Sequence, residues 1–524
     1  MRNNTISSVS DLGFGKKAFT NIYARFFIFV SIFDTNVSLL ARSTIPGYYD
    51  DVARSAAKMP AIHVSGGFYP HGETMRLSAW NRDMSGFDYI SLLVIDIDGR
   101  MREVSLPANY ASEKVLKKGI GFDASNFGYA KVSSSDMVAI PDLETAFLEE
   151  KDGFRILHAF CNVKTKDNLA FDQYPRHVAL EALGKVRESG VGEDVMLLVE
   201  LEFYVFDDVR YSTTVGHSYY YVENSEGIGD ESGDAPRVGL SRAYHLTSPG
   251  DRYQLLRNRA VKSMLDAGIP VKYHHHEVGS SQLEIELDFI SMAKAGDAVV
   301  LAQWILRNEA AELGLHVTFM PKPMYGIAGS GMHVHQFIVR GGNSVFPGDG
   351  LYGLSATGLS YTAGILSHAL SGSLLAFSNP STNSYRRLVP GYEAPVNATF
   401  AQGSRAAAVR IPGYLGKGES RIEFRTGDAT ANIYYFIAAM VLAGLDGVAR
   451  EFDPVAMGFS TEKASLKNTF PTGLFHVLAG LEKDRAYLSG AFPTELIEEW
   501  TARKAKDAEY VYNAPVPQEY ELYF

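Results

Sequence analysis

A chain of 524 residues is too long for one ordinary core and points to two or more domains. It is 46% hydrophobic and 21% charged, an ordinary globular composition, and its net charge of −11 argues against a nucleic-acid phosphate surface as partner. The single cysteine, Cys161, excludes an intrachain disulfide and suits a reducing compartment.

Residues 1–85 differ in composition from the rest and carry no chemical motif. No stretch reaches the roughly eighteen apolar residues that a membrane helix needs. The nearest, "FFIFVSIF" at 26–33, reads as a buried strand or a partner-facing segment rather than an export signal. The spacing of 48–59 suits a short helix, and Met59, Met75 and Met84 leave the native start open. From Tyr89 the pattern is strand, tight turn at Asp98-Gly99, strand. Residues 172–190 predict a helix, with Pro175 at its start and Gly190 as its stop. A domain boundary is placed just before it. Residues 227–239 form an acidic, glycine-rich loop. Three later segments also have helical spacing: "RYQLLRNRAVKSMLDAG", "NIYYFIAAMVLAGLDGVAREF" and "TELIEEWTARKAKDAEYVY".

Four short segments share one chemistry. Side chains alternate faces along a strand. "VELEFYVF" therefore puts Glu200 and Glu202 together, about 7 Å apart, opposite Leu201 and Phe203. "LEIELDF" groups Glu284, Glu286 and Asp288; "GMHVHQF" groups His333 and His335; "RIEFR" groups Arg421, Glu423 and Arg425. An antiparallel sheet with helices on its apolar side would gather these ionisable groups on the other. Buried like charges repel unless a cation holds them, and this oxygen-rich set suits Mg²⁺ or Mn²⁺. For Glu286 and Asp288 the plainer reading is a solvated face, and His274 and His275 read as structural. Arg387, Arg405, Arg410, Arg421 and Arg425 crowd into about forty residues and imply a carboxylate or phosphate ligand. No Walker loop or kinase glycine loop is present. The residues alone thus reach a metal-dependent enzyme acting on a phosphorylated or carboxylated substrate.

The stretch "NPSTNSYRRLVPGYEAPVNATFAQGSRAAAVRIP", with "AGSGMHVHQF", "HHEVGSSQLEIE", "VELEFYVF" and "SRIEFRTGDATAN", resembles glutamine synthetase of the bacterial class I type. The resemblance runs from about Phe87 to the C-terminus. It implies an α+β fold: a small β-grasp domain, residues 86–172, and a large catalytic domain, residues 173–524, with a curved antiparallel sheet flanked by helices. Residues 1–85 would be an extension of unknown role. It implies a cytoplasmic enzyme that joins ammonia to the side-chain carboxylate of glutamate through γ-glutamyl phosphate, using ATP and two or more Mg²⁺ or Mn²⁺ ions. Twelve subunits would form two stacked hexameric rings with active sites between neighbours, and neither nucleic acid nor membrane would be a partner.

Carried over by motif, Glu202, Glu277 and Glu284 would hold one metal and Glu200, His333 and Glu423 the other. Gly329, Arg387 and Arg425 would bind glutamate. Arg405 and Arg410 would face the phosphates, with His335 and Arg421 near the nucleotide. Asp123, Asn126, Tyr244 and Glu277 would form the ammonium pocket, Asp123 coming from the neighbouring subunit to take a proton. Glu393 would sit on a flap that closes over the site. Asn126 stands where the family often has serine, which leaves open a ligase for a larger, polyamine-type amine on the same fold. Phe337 replaces a small residue after the histidine pair, and 450–473 holds no tyrosine for adenylylation. An assembly protein without catalysis would have lost metal ligands, and a cupin-like oxygenase would leave the arginines unexplained.

Overall fold

The computed structural model describes residues 84, 86–228, 238–416, 418–460 and 468–524. The segments 26–33 and 48–59 lie outside the described residues, as do most of the glycine-rich loop and part of 450–473.

The first sheet grows around β1 (Tyr89–Ile95), whose run YISLLVI is buried at six of seven positions. A strand covered on both faces needs such an unbroken apolar run. The turn after it is set by Gly99 at φ +81°, where the chain also passes so close to Asn432 that a side chain would collide. β2 (Met101–Pro107) returns antiparallel. β3 (Ile120–Asp123), β4 (Asp136–Pro141), β5 (Phe147–Lys151) and β6 (Phe154–Thr165) complete the sheet in the order β2-β1-β6-β4-β3, with β5 also on β6. β1 and β6 run parallel.

The helix Pro175–Glu188 begins on Pro175, whose missing N–H is an orphan at a helix start, and Gly190 beyond its end takes φ +70°. Its Arg176 clamps the two parts of the chain together. The guanidinium forks onto both oxygens of Asp297 at 3.0 Å and also donates to Asp142 and Asn162 at 2.9 Å.

The second sheet is built on β7 (Asp194–Phe206). β8 (Asp208–Thr213) and β9 (Ser218–Glu223) form a separate hairpin. β10 (Val271–His276) and β11 (Gln282–Leu287) pair beside β7; β12 (Ile290–Ser291) and β13 (His316–Thr318) pair with its two ends. β14 (Met332–Arg340) lies on its other side, with β15 (Asn343–Ser344) on β14. β16 (Phe400–Gln402), β17 (Val409–Ile411) and β18 (Ile422–Phe424) extend it to the order β10-β11-β7-β14-β18-β17-β16. The sheet is mixed rather than purely antiparallel, because β16 and β17 run parallel.

Leu201, Phe203, Ile285, Met332, Val334, Ile422 and Phe424 bury the apolar face of this sheet in one core. Against it lie the helices Pro175–Glu188, Met292–Glu312 and Ile433–Ala449, which supply Val178, Leu301, Ile305, Ile437 and Met440. Burying such a side chain contributes roughly 1.5–3 kcal/mol. With one face covered, each strand's register is fixed, because a one-residue slip would turn its charges into this core. The helices expected in the three later segments are Gln254–Asp266, Ile433–Ala449 and Thr494–Tyr512.

The helix Ala356–Leu370 crosses Ile433–Ala449 where Gly364 meets Gly447, and a Cβ on Gly364 would lie 2.1 Å from the Ala443 carbonyl. Gly364→Val therefore forces the helices apart. It is expected to cost about 1–3 kcal/mol, read as a lowered midpoint of thermal unfolding.

Candidate active site

The functional face of the second sheet is a grid of ionisable side chains fixed by register. Glu202 stands opposite Glu284, which stands opposite His275. Glu200 stands opposite Glu286 on one side and His333 on the other. His335 pairs with Glu423, and Glu423 with Arg410. Glu277 follows β10 directly, its amide donating to the Gln282 carbonyl at 2.8 Å.

The grid floors a cavity of about 240 Å³. All six expected metal ligands line it: Glu200, Glu202, Glu277, Glu284, His333 and Glu423. Arg387, Arg405, Arg410, Arg425, Gly329, Tyr244 and Glu393 line it too. His335 and Arg421 lie just behind the wall. His335 Nε2 is 2.9 Å from Glu200, and Arg421 Nε donates to His335 Nδ1 at 3.4 Å. The Arg421 guanidinium also lies over the rings of Phe289 and Tyr414, at 5.5 and 5.8 Å. Asp123 and Asn126 do not line the cavity of their own chain. They sit at the exposed end of β3, where the Asn126 amide donates to Asp123 at 3.3 Å.

The two halves of the grid differ in electrostatics. Burial opposes ionisation of Glu200, but hydrogen bonds from His333 and His335 override it and hold the carboxyl well below its ordinary pKa. Glu423 is fully buried, and against that burial His335 and Arg425 hold its pKa down. Arg410 and Arg425 both bond to it. In the other half cations weigh less: Arg405 acts on Glu277, but burial and the charge of Glu202 outweigh it. Burial first, then the charge of Glu202, pushes Glu277 up to about 7. Burial and the charges of Glu200, Glu202 and Glu277 push Glu284 well above the carboxylate range. This half therefore holds protons near neutral pH, or a cation that replaces them. The donors fit a divalent ion: one ligand atom each from His275, Glu277 and Glu284 lie within 4.8 Å of one another, as do those of Glu200, His335 and Glu423.

Close packing shapes the substrate wall. A side chain at Gly329 would strike the Pro321 carbonyl and Arg387, so backbone alone faces the cavity there. Arg387 is buried, tied through Nη1 to the Thr426 carbonyl at 2.8 Å and through Nη2 to His333 Nε2 at 3.2 Å. Glu393 has φ +58°, the left-handed region that non-glycine residues seldom take. The strain sits on the loop over the cavity, beside Tyr392, whose ring is 3.6 Å from the Lys322 ammonium.

One expectation is overturned. Glu286 is not on a solvated face: it is 1% exposed and paired with Lys272 Nζ. Alternation groups it with Glu284 but cannot say that the rest of the chain covers that face; Asp288, just past the strand end, is exposed as expected. His275, read as structural, is brought to the cavity. It lines the cavity with Nε2 3.5 Å from Glu284, while His274 faces Arg257 at 3.3 Å. In a run of three histidines only the strand register tells them apart. Tyr273, Gln282 and Tyr392 also line the cavity without a local signal to announce it.

Residues 86–166 match the family model of the glutamine synthetase beta-Grasp domain, and residues 172–523 that of the glutamine synthetase catalytic domain. The glutamine synthetase of Nostoc sp. is 35% identical over 459 residues, covering 83% of this chain and 96% of that protein. The glutamine synthetase of Mycobacterium bovis is 36% identical over 464 residues, with the same coverage. In fold, the chain resembles the cryo-EM structure of Plasmodium falciparum glutamine synthetase, with a TM-score of 0.79 and 24% identity. That match covers 88% of this chain and all of the other.

The raised carboxyls carry a pH signature. A proton on Glu277 competes with a divalent ion, so affinity rises as pH increases through about 7. Mn²⁺ titrations across this range check it; an affinity independent of pH would contradict the protonated state assigned to Glu277.

Proposed function

The chain belongs to the glutamine synthetase family and is an ATP-dependent glutamate–ammonia ligase, and we propose the following division of labour among its residues. What supports it is one observation: six metal-type ligands and four arginines converge on a single cavity.

Glu202, Glu277 and Glu284 would hold one divalent ion and Glu200, His333 and Glu423 the other, as Mg²⁺ or Mn²⁺. When bound, the ions neutralise charge on the transferring phosphoryl group. Arg387 and Arg425 hold the carboxylates of glutamate, with the Gly329 backbone alongside. Arg405 and Arg410 face the phosphates of ATP, and Arg405 stabilises charge as the phosphoryl group moves. His335 and Arg421 flank the nucleotide. A side-chain oxygen of glutamate attacks the γ-phosphorus and ADP leaves, giving γ-glutamyl phosphate. Asp123 accepts a proton from ammonium held with Asn126, Tyr244 and Glu277. The ammonia nitrogen then attacks the acyl carbon and phosphate departs. Glu393 and its loop close over this step and keep water from the acyl phosphate.

Asp123 and Asn126 lie away from the cavity of their own chain, so a neighbouring subunit would supply them. This favours rings of subunits, two hexamers stacked as a dodecamer, with the 86–172 domain of one chain completing the 173–524 domain of the next. Among the described residues no helix is long and apolar enough to cross a membrane. We place the enzyme in the cytoplasm, with residues 1–85 as an N-terminal extension of unknown function.

The shared site has a direct test. Asp123→Ala and Arg405→Ala should each lose nearly all glutamine synthesis, by at least about 100-fold for the arginine. Mixed and reassembled, they should regain activity from roughly a quarter of the sites by random pairing. No recovery in verified mixed assemblies would rule out a site shared between subunits. The larger-amine reading left open by Asn126 is not favoured, since the curated relatives are named glutamine synthetase. Phosphate release from ATP and glutamate should be fastest with ammonium in a panel that includes methylamine and polyamines; a polyamine preferred over ammonium would reverse this.

A further inference from the structure

Lys322 is a buried cation to which the reaction above gives no role. Lysine is seldom buried without a partner, because its ammonium loses hydration there. Burial first, then the Arg387 cation, pulls its pKa down to about 8. Two contacts offset this. Nζ donates to the Ile327 carbonyl, and the ammonium lies 3.6 Å from the centre of the Tyr392 ring. A cation so close to an aromatic face is attracted by the ring quadrupole, and more strongly where water is excluded.

Asn383 grips the backbone of Lys322 from both sides. The Lys322 amide donates to Asn383 Oδ1 at 2.6 Å, and Asn383 Nδ2 donates to the Lys322 carbonyl at 3.1 Å. Asn383 directly precedes the helical turn Ser384–Arg387, which carries Arg387. The Pro321 carbonyl accepts from the Ser330 amide at 2.8 Å, and the Ile327 carbonyl that Lys322 holds lies two residues before Gly329. The lysine is thus fixed to both backbone segments of the glutamate wall. Its far end meets Tyr392, which lines the cavity with Gly391 and Glu393. Both residues flanking Tyr392 take left-handed backbone, φ +95° at Gly391 and +58° at Glu393. Such backbone is costly at a glutamate and persists where surrounding contacts enforce it. The Lys322–Tyr392 contact is one that does.

We propose that Lys322 is a positioning residue: its ammonium holds Tyr392, and with it Glu393, over the cavity and so keeps water from the reaction. This role rests on the reading of the Glu393 loop as the shield of γ-glutamyl phosphate, and it supplies the anchor of that shield. Without the anchor, water competes with ammonia for the intermediate. The water oxygen attacks the acyl carbon, the bond from that carbon to the phosphate oxygen breaks, and a water proton passes to solvent. The products are glutamate and phosphate, so ATP is consumed and no glutamine forms.

The test measures phosphate release and glutamine formation together, in the full-length enzyme with ATP, glutamate and ammonium. Lys322→Met keeps the stem and removes the charge. It should release several-fold more phosphate per glutamine than the unaltered enzyme, and rising ammonium should restore the ratio, because ammonia then outruns water. Tyr392→Leu removes the ring and should leak in the same way, while Tyr392→Phe should stay coupled. A merely structural lysine would lower both products together at an unchanged ratio; that result in Lys322→Met would overturn the proposal. Should Lys322→Met fail to assemble, an unchanged ratio in Tyr392→Leu would overturn it instead. Glu393→Ala separates this from the wider reading. A leak in Glu393→Ala with none in Lys322→Met refutes the anchor alone, whereas an unchanged ratio in Glu393→Ala refutes the shield itself.

Discussion

Like charge gathered on one covered face of a sheet is the constraint on which the rest of this structure depends. Glu200, Glu202, Glu284, Glu286 and Glu423 all project from β7, β11 and β18 to the same side, with Glu277 at the end of β10. Two unit charges about 5 Å apart repel by roughly 3 kcal/mol at an effective dielectric of ~20. A fold that packs several together must supply protons, cationic side chains or bound cations. The protein uses side-chain cations at one end, where His333, His335, Arg410 and Arg425 meet Glu200 and Glu423. At the other end, around Glu277 and Glu284, Arg405 offsets too little of the burial and like charge, and their pKa values rise.

That asymmetry explains the division of the site. The compensated end holds its carboxylates ionised through side chains of the chain itself. The less compensated end gains most from a divalent ion, because the ion removes repulsion that the chain leaves in place. A sheet suits this task because strand register fixes spacing along two directions at once, and because the helices behind it leave little freedom. Arg176 extends the same rigidity to the smaller sheet, gripping Asp297 and Asp142 together, while Tyr434 adds its hydroxyl to Asp297 at 2.6 Å. The loop of Tyr392 and Glu393 stands outside this packing, with a left-handed residue and a cation–ring contact in place of buried core.

The clearest losses between sequence and structure fall on single residues of these strands. Glu286 and Asp288 look alike in sequence, two alternating acids in one strand pattern. One is buried beside Glu200; the other lies past the strand end in solvent. His274 and His275 are adjacent and identical in type, yet one braces Arg257 and the other enters the cavity. Parallel pairing of β16 with β17 likewise has no signature in segments three residues long.

What the amino-acid order determined by itself is everything with a short period: the strands and their two faces, the helix at Pro175, the turn at Gly99, and the family to which the motifs belong. These are properties of neighbouring residues, set by local sterics and alternation. What only the tertiary structure decided is which faces meet and what covers them. Glu202 opposes Glu284 across a gap of some eighty residues, and Glu200 opposes His333 across more than a hundred. Burial, proton affinity and the convergence of arginines on those carboxylates follow from such long-range contacts, and no local pattern encodes them.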